Sequence, residues 1–103
     1  MATTLQDHFG RTVRLTDERI AHILEHEEMT GQLDKVGETL REPDATVRSQ
    51  RDSEVHLYHK HYPTTPVTEK YLLAAVKVAE NDAFVLSAFF TDTIKKGERI
   101  WEE

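Results

Sequence analysis

His22 and His26 stand four residues apart in the run Arg19-Ile20-Ala21-His22-Ile23-Leu24-Glu25-His26. On a helix that spacing puts both imidazoles on one side, about one turn from each other. Histidine titrates nearest neutrality, so such a pair can supply the base and the acid of a proton-transfer reaction if it lines a cleft. The competing reading is a solvated pair on a helix that also carries Glu25, Glu27 and Glu28, and spacing alone does not separate the two. Zinc is a third use of the spacing. However, the order His-Ile-Leu-Glu-His places no acid directly after the first histidine, and no third ligand stands out.

A second polar group falls in Val55-His56-Leu57-Tyr58-His59-Lys60-His61-Tyr62. Alternation along a strand puts His56, Tyr58, Lys60 and Tyr62 on one face and Val55, Leu57, His59 and His61 on the other. This is either a half-exposed amphipathic strand or a phosphate site. In the second case Lys60 is the cation, Tyr58 an orienting hydroxyl, and Arg48, Arg51 and Lys70 add charge if their strands are neighbours. Further on, Val85, Ser87, Phe89 and Thr91 alternate with Phe84, Leu86, Ala88 and Phe90, which assigns the latter set to the core and Ser87 and Thr91 to the opposite face. Gly-rich phosphate loops, a Ser nucleophile elbow and a distinct paired-carboxylate motif are missing from the sequence.

The elements that must position these groups follow from period and punctuation. Thr16 is a helix N-cap with Asp17 and Glu18 in the first turn, Ile20, Ile23 and Leu24 form an apolar stripe, and Gly31 terminates a helix of about four turns. Leu33, Val36 and Leu40 predict a second, shorter helix that stops before Pro43. After Pro43 the period becomes alternating, predicting strands at 46–49, 55–62, 71–78 and 83–91, with a possible short extra strand at 12–15. Asn81-Asp82 marks a tight turn, hence a hairpin and antiparallel pairing. The expected fold is α+β, with two N-terminal helices packed on a four-stranded antiparallel sheet and Trp101 packing over an edge of the core.

At 103 residues the chain suits one core and one domain spanning 1–103. Without cysteine it has no disulfide, thiolate nucleophile or Cys-based metal site, and a reducing cytoplasm is the expected location. The start lacks a secretory pattern, and no apolar run approaches the roughly 20 residues of a membrane helix, so neither export nor a membrane partner is expected. The net charge of −6 argues against binding spread over a phosphate backbone. Residues 41–70 nevertheless hold five basic and five acidic groups with three of the six histidines, which favours this segment for any anion.

The run 19–28, Leu40-Arg41-Glu42-Pro43-Asp44, Arg48-Ser49, Leu57-Tyr58-His59-Lys60, the Lys-led apolar strand from Lys70 and Ser87-Ala88-Phe89-Phe90-Thr91 together resemble uncharacterised proteins of the barnase–EndoU–colicin–RelE-like nuclease superfamily. The similarity spans nearly the whole chain and rests on the order and spacing of short motifs. It departs from the usual pattern at His59-Lys60, where an aromatic residue followed by Arg is commoner, and at Ser87, where Thr is. The resemblance implies an endoribonuclease that needs neither metal nor cofactor and cleaves RNA by attack of the 2′-hydroxyl on the adjacent phosphate. His22 or His26 would be base or acid, Arg48 and Lys60 would hold the phosphate, and Tyr58 and Thr91 would orient groups. It also implies RNA as substrate and, if the chain is the toxin of a toxin–antitoxin module, an antitoxin protein as partner. A non-catalytic RNA- or protein-binding domain is the alternative that the acidic charge supports.

Overall fold

The structure, a computed structural model, describes residues 2–102, without the side chain of Ala2. Its order is β1 (Ala2–Gln6), β2 (Thr12–Thr16), α1 (Asp17–Ile23), a 3-10 turn (Glu27–Met29), α2 (Leu33–Arg41), β3 (Ala45–Arg48), β4 (Val55–Tyr62), β5 (Lys70–Ala79), β6 (Asp82–Thr91) and β7 (Glu98–Glu102). All seven strands join one sheet in the order β1-β2-β6-β5-β4-β3-β7. The pairing is antiparallel except between β2 and β6, where Arg14 meets Phe84 in parallel. The class is α+β, but the expected four-stranded antiparallel sheet is corrected to a mixed sheet of seven. The four strands read from alternation are the central β3 to β6 and the short extra strand expected at 12–15 is β2, whereas the edge strands β1 and β7 were not read.

Thr16 caps α1 as its sequence predicts, its hydroxyl accepting from the Arg19 N–H at 3.2 Å. The helix then stops after Ile23 instead of running to Gly31, and the next bonds tighten to Glu25 N–H on His22 and His26 N–H on Ile23. Glu25, Glu27 and Glu28 would have lain against the negative C-terminal end of a longer helix, whereas in the 3-10 turn Glu27 and Glu28 sit in the first turn. The break also buries Met29 completely and leaves Leu24 exposed. In α2 the residues Val36, Gly37, Thr39 and Leu40 are buried, and Arg41 and Pro43 close it as expected.

The main core lies between the helices and one face of the sheet, the helix face. Val13, Leu15, Ile23, Met29, Val36, Leu40, Tyr58, Tyr62, Leu72, Ala74, Val76, Val85 and Ala88 meet there. A bulge in β6 shifts the register between Val85 and Ser87, so that Ala83 and Val85 join Ala88 on this face, while Phe84 and Leu86 are only half-buried. The core set read from strict alternation is therefore corrected in the first half of β6. In the second half Ser87, Phe89 and Thr91 point to the opposite, open face. No helix of the described residues is long and apolar enough to cross a membrane.

Candidate functional site

Tyr58, Lys60 and Arg48 share the helix face, where each is tied to the scaffold. The turn 7–11 between β1 and β2 reaches across this face to β4, β3 and the end of α2. Its buried Asp7 accepts from the N–H groups of Phe9 and Arg11 at 3.0 and 2.8 Å, and from the Tyr58 hydroxyl at 2.5 Å. Arg11 adds bonds of 3.3 Å to both Asp7 and Tyr58, and approaches His56 Nδ1 at 3.5 Å. Burial first, and the Asp7 carboxylate second, raise the Tyr58 phenol well above its ordinary pKa, so it stays protonated. His8 shares a 3.2 Å hydrogen bond with Thr46 and packs against Trp101. Arg48 donates to Glu98 and to the Ser53 carbonyl, and Lys60 donates to the Glu42 carbonyl. On this face the polar groups act as a clasp between hairpin and sheet.

His22 sits exposed on α1, 3.9 Å from Glu25. Because α1 ends at Ile23, His26 lies beyond the helix, and the two histidines do not form one helical face. Thr91 pairs with Tyr71 on the open face, across the sheet from Tyr58. The six residues expected to converge are thus divided among α1, the segment after it, and both faces of the sheet. Of the six, Thr91 lies on the open face, and His26 packs its ring 5.8 Å from that of Phe89.

A groove of about 480 Å³ lies on the open face, lined by Ser49, Gln50, Arg51, Leu57, Leu73, Ala75, Phe89, Lys95 and Lys96. Register explains its floor: Leu57 pairs with Ala75 and Leu73 with Phe89, all on one side of the pleat, with Ser87 beside Ala75. Its walls are two loops. In the first, Ser49 N–H bonds to the Val55 carbonyl and Arg51 N–H to the Ser49 hydroxyl. The second, after β6, is anchored where Lys95 N–H donates to Nε2 of the fully buried His59 at 3.1 Å. Burial, with Arg99 and Lys95 nearby, lowers the His59 pKa to about 4, which keeps that nitrogen an acceptor at neutral pH.

Gly97 holds the second wall at its other end. Its φ is +150°, and a Cβ there would stand 2.3 Å from the Arg48 carbonyl oxygen and 2.6 Å from Val47 Cγ1. Gly97→Ala is expected to cost at least about 2 kcal/mol, from backbone strain and overlap with a strand that cannot yield. Urea denaturation measures it, and an unchanged midpoint would show that the loop is not pinned at this point.

Among the described residues Arg19, Lys35, Arg41 and Lys60 have no carboxylate partner but do not line this groove, where three such cations gather. Arg14, Lys70 and Lys77 each pair with a carboxylate, as Arg48 does with Glu98. Among the described residues Arg51, Lys95 and Lys96 pair with none, and all three converge on this groove in a chain of net charge −6. The signal that could have found this wall is the dibasic Lys95-Lys96 before a glycine; the clasp was signalled by the turn sequence Asp7-His8-Phe9-Gly10-Arg11. Among the described residues no three His, Asp or Glu side chains gather as metal ligands. Comparison with protein-family models, curated proteins and solved structures finds no match for the chain.

Proposed function

We propose that the open-face groove binds RNA and that the chain is a ribonuclease acting there by 2′-hydroxyl transesterification. The observation that carries this reading is the convergence of Arg51, Lys95 and Lys96, unneutralised, above an apolar floor containing Phe89. Cations without carboxylate partners attract phosphates, and an aromatic ring in the floor offers a stacking surface for a base. His26, packed against the Phe89 ring of the groove floor, is the histidine we assign to take the proton of the 2′-hydroxyl as its oxygen attacks phosphorus. The ammonium groups of Lys95 and Lys96 stabilise the charge developing on the phosphate oxygens and are the protonated donors on hand for the leaving 5′-oxygen. The internal nucleophile makes this a reaction of base, acid and cations alone.

The test is binding of a 2′-O-methyl oligoribonucleotide, which lacks the attacking hydroxyl and so cannot be cleaved this way. Replacing Arg51, Lys95 and Lys96 together by alanine is expected to weaken binding at least tenfold, roughly, and to flatten the plot of log affinity against log salt by about two units. Wild-type protein that fails to bind, or a triple variant with unaltered affinity and salt slope, would refute the groove. A binding-only domain is the second reading, favoured by His26 alone, of the two expected histidines, packing on a groove residue. Turnover of unmodified RNA, measured beside binding, separates the two.

A further inference from the structure

We infer that β1 pairs with the β1 of a second copy of this chain, joining the two sheets across a two-fold axis through Thr4. The inference stands apart from the RNA reading and starts from the two ends of the sheet. β1 and β7 are its edges, each five residues long, and among the described residues neither has a strand along its outer side. Each therefore presents a row of backbone N–H and C=O groups free to pair. Charge guards only one of them. β7 carries Glu98, Arg99 and Glu102, all exposed, whereas β1 reads Ala2-Thr3-Thr4-Leu5-Gln6, with no charge, no proline and an unbroken register on β2. Such an edge takes up a further strand through its main-chain groups.

Charge beside β1 selects a second copy as the added strand. On the helix face Thr3 and Leu5 border a groove of about 390 Å³ whose apolar lining is completed by Leu15, Ile20 and Leu33. α2 runs along this groove in the direction of β1. A Cβ on Gly37 would stand 3.6 Å from Leu5 Cδ2, and the Leu40 carbonyl accepts from the His8 N–H at 2.8 Å, so Asp34, a turn before Gly37, falls at the Thr3 end. Arg41 folds back over Gly37, with Nη1 3.1 Å from that Cβ position, and so reaches the Leu5 end. Asp34 and Arg41 are both exposed, and among the described residues neither has an ion-pair partner. Antiparallel pairing of all five β1 residues sets Thr4 opposite Thr4, and Leu5 of each copy opposite Thr3 of the other. The same two-fold faces Arg41 of each copy to Asp34 of the other. Cation then meets carboxylate twice, where chains of net charge −6 would otherwise repel. A strand from an unrelated protein could use the main-chain edge, but nothing would give it this charge pattern in this register.

Sedimentation velocity of the wild-type chain over about 1–300 μM is expected to show a monomer–dimer equilibrium, because so short a strand pair gives an interface of the weak, transient class. Thr4→Glu sets two like charges face to face on the two-fold while keeping Arg14 as the cross-strand neighbour within the chain. It should weaken the dimer at least about tenfold and leave the urea midpoint of the monomer unchanged. Asp34→Arg and Arg41→Glu should each weaken it roughly tenfold, since either change makes both facing pairs like charges. An equimolar mixture of these two variants should dimerise about as well as the wild type, because both pairs are opposite in charge again. Loss of α2 stability alone cannot give that recovery. A wild-type chain that stays monomeric over this range would overturn the inference and leave the edge to a strand from another protein. A dimer indifferent to Thr4→Glu, or a mixture no tighter than its components, would also overturn it.

Discussion

Replacing His26 by alanine is expected to slow RNA cleavage by about 10²–10⁴-fold, the usual contribution of a positioned acid–base group. Affinity for the uncleavable 2′-O-methyl analogue should change by no more than roughly twofold, the range of a surface substitution. The structure motivates both halves. His26 heads the 3-10 turn without a side-chain capping bond, so its ring can be removed without unbinding a helix end. The ring rests against Phe89 of the groove floor, and its nearest carboxylate is Glu28 at 4.0 Å. His22 is the internal control: exposed on α1 and facing Glu25, it should be replaceable by alanine with cleavage unchanged. Single-turnover rates should fall in the His26 variant and stay at the wild-type value in the His22 variant. Cleavage by His26→Ala at the wild-type rate would remove His26 from the chemistry, and equal slowing by both substitutions would show that the groove is not where the histidines act.

Expecting the two histidines to act as a pair depended on a helix that continues to Gly31. The sequence pattern there is genuine as far as Ile23, and the glutamates that follow explain why it ends. Elsewhere, elements that press side chains against the core were legible. Leu33, Val36 and Leu40 announced α2, and alternation announced β3 to β6. The strands β1 and β7 join by backbone ladders at the two edges of the sheet, and most of the outward residues in Thr3-Thr4 and Glu98-Arg99 are exposed, so neither carries a period to read. Missing β7 had a further effect on Arg48. Its carboxylate partner, Glu98, belongs to that strand, and without it Arg48 reads as a free cation suited to phosphate. Lys60 misleads similarly, because the carbonyl it binds, that of Glu42, is brought to it by the end of α2. Conversely, Lys95 and Lys96 gain their importance from a loop that folds back across β3 through Gly97; the dibasic pair before a glycine marks the loop, but the strand it packs on is set by the tertiary fold. Arg51, read only as a possible added charge, proved to face the groove directly.

The second large effect is acid lability. His59 and His56 are buried, and their pKa values, like that of His8, are lowered chiefly by desolvation. For these groups the folded state holds fewer protons than the unfolded state once pH falls below the unfolded value of 6.5, so stability declines with falling pH. For His59 the decline runs from 6.5 to about 4, where the folded protein also takes up the proton, and amounts to about 3 kcal/mol. His56 and His8 add to it with the same sign. Asp52 and Asp82, whose pKa values are lowered by hydrogen bonds from Lys77 and Arg14, withdraw stability in the same direction at lower pH. Urea unfolding at pH 7.5, 6, 5 and 4 measures the sum, and a variant isolates the buried group. His59→Gln keeps an acceptor for the Lys95 N–H but does not titrate, so its stability should fall less steeply by about 1.4 kcal/mol per pH unit between 6 and 4. Parallel curves for the two proteins would show that His59 is not held neutral in the fold. Protonation has a local consequence too, since a charged His59 would set a donor against the Lys95 N–H and release the wall that carries Lys95 and Lys96. RNA binding by wild-type protein should therefore fall off at acid pH before global unfolding, and His59→Gln should retain it.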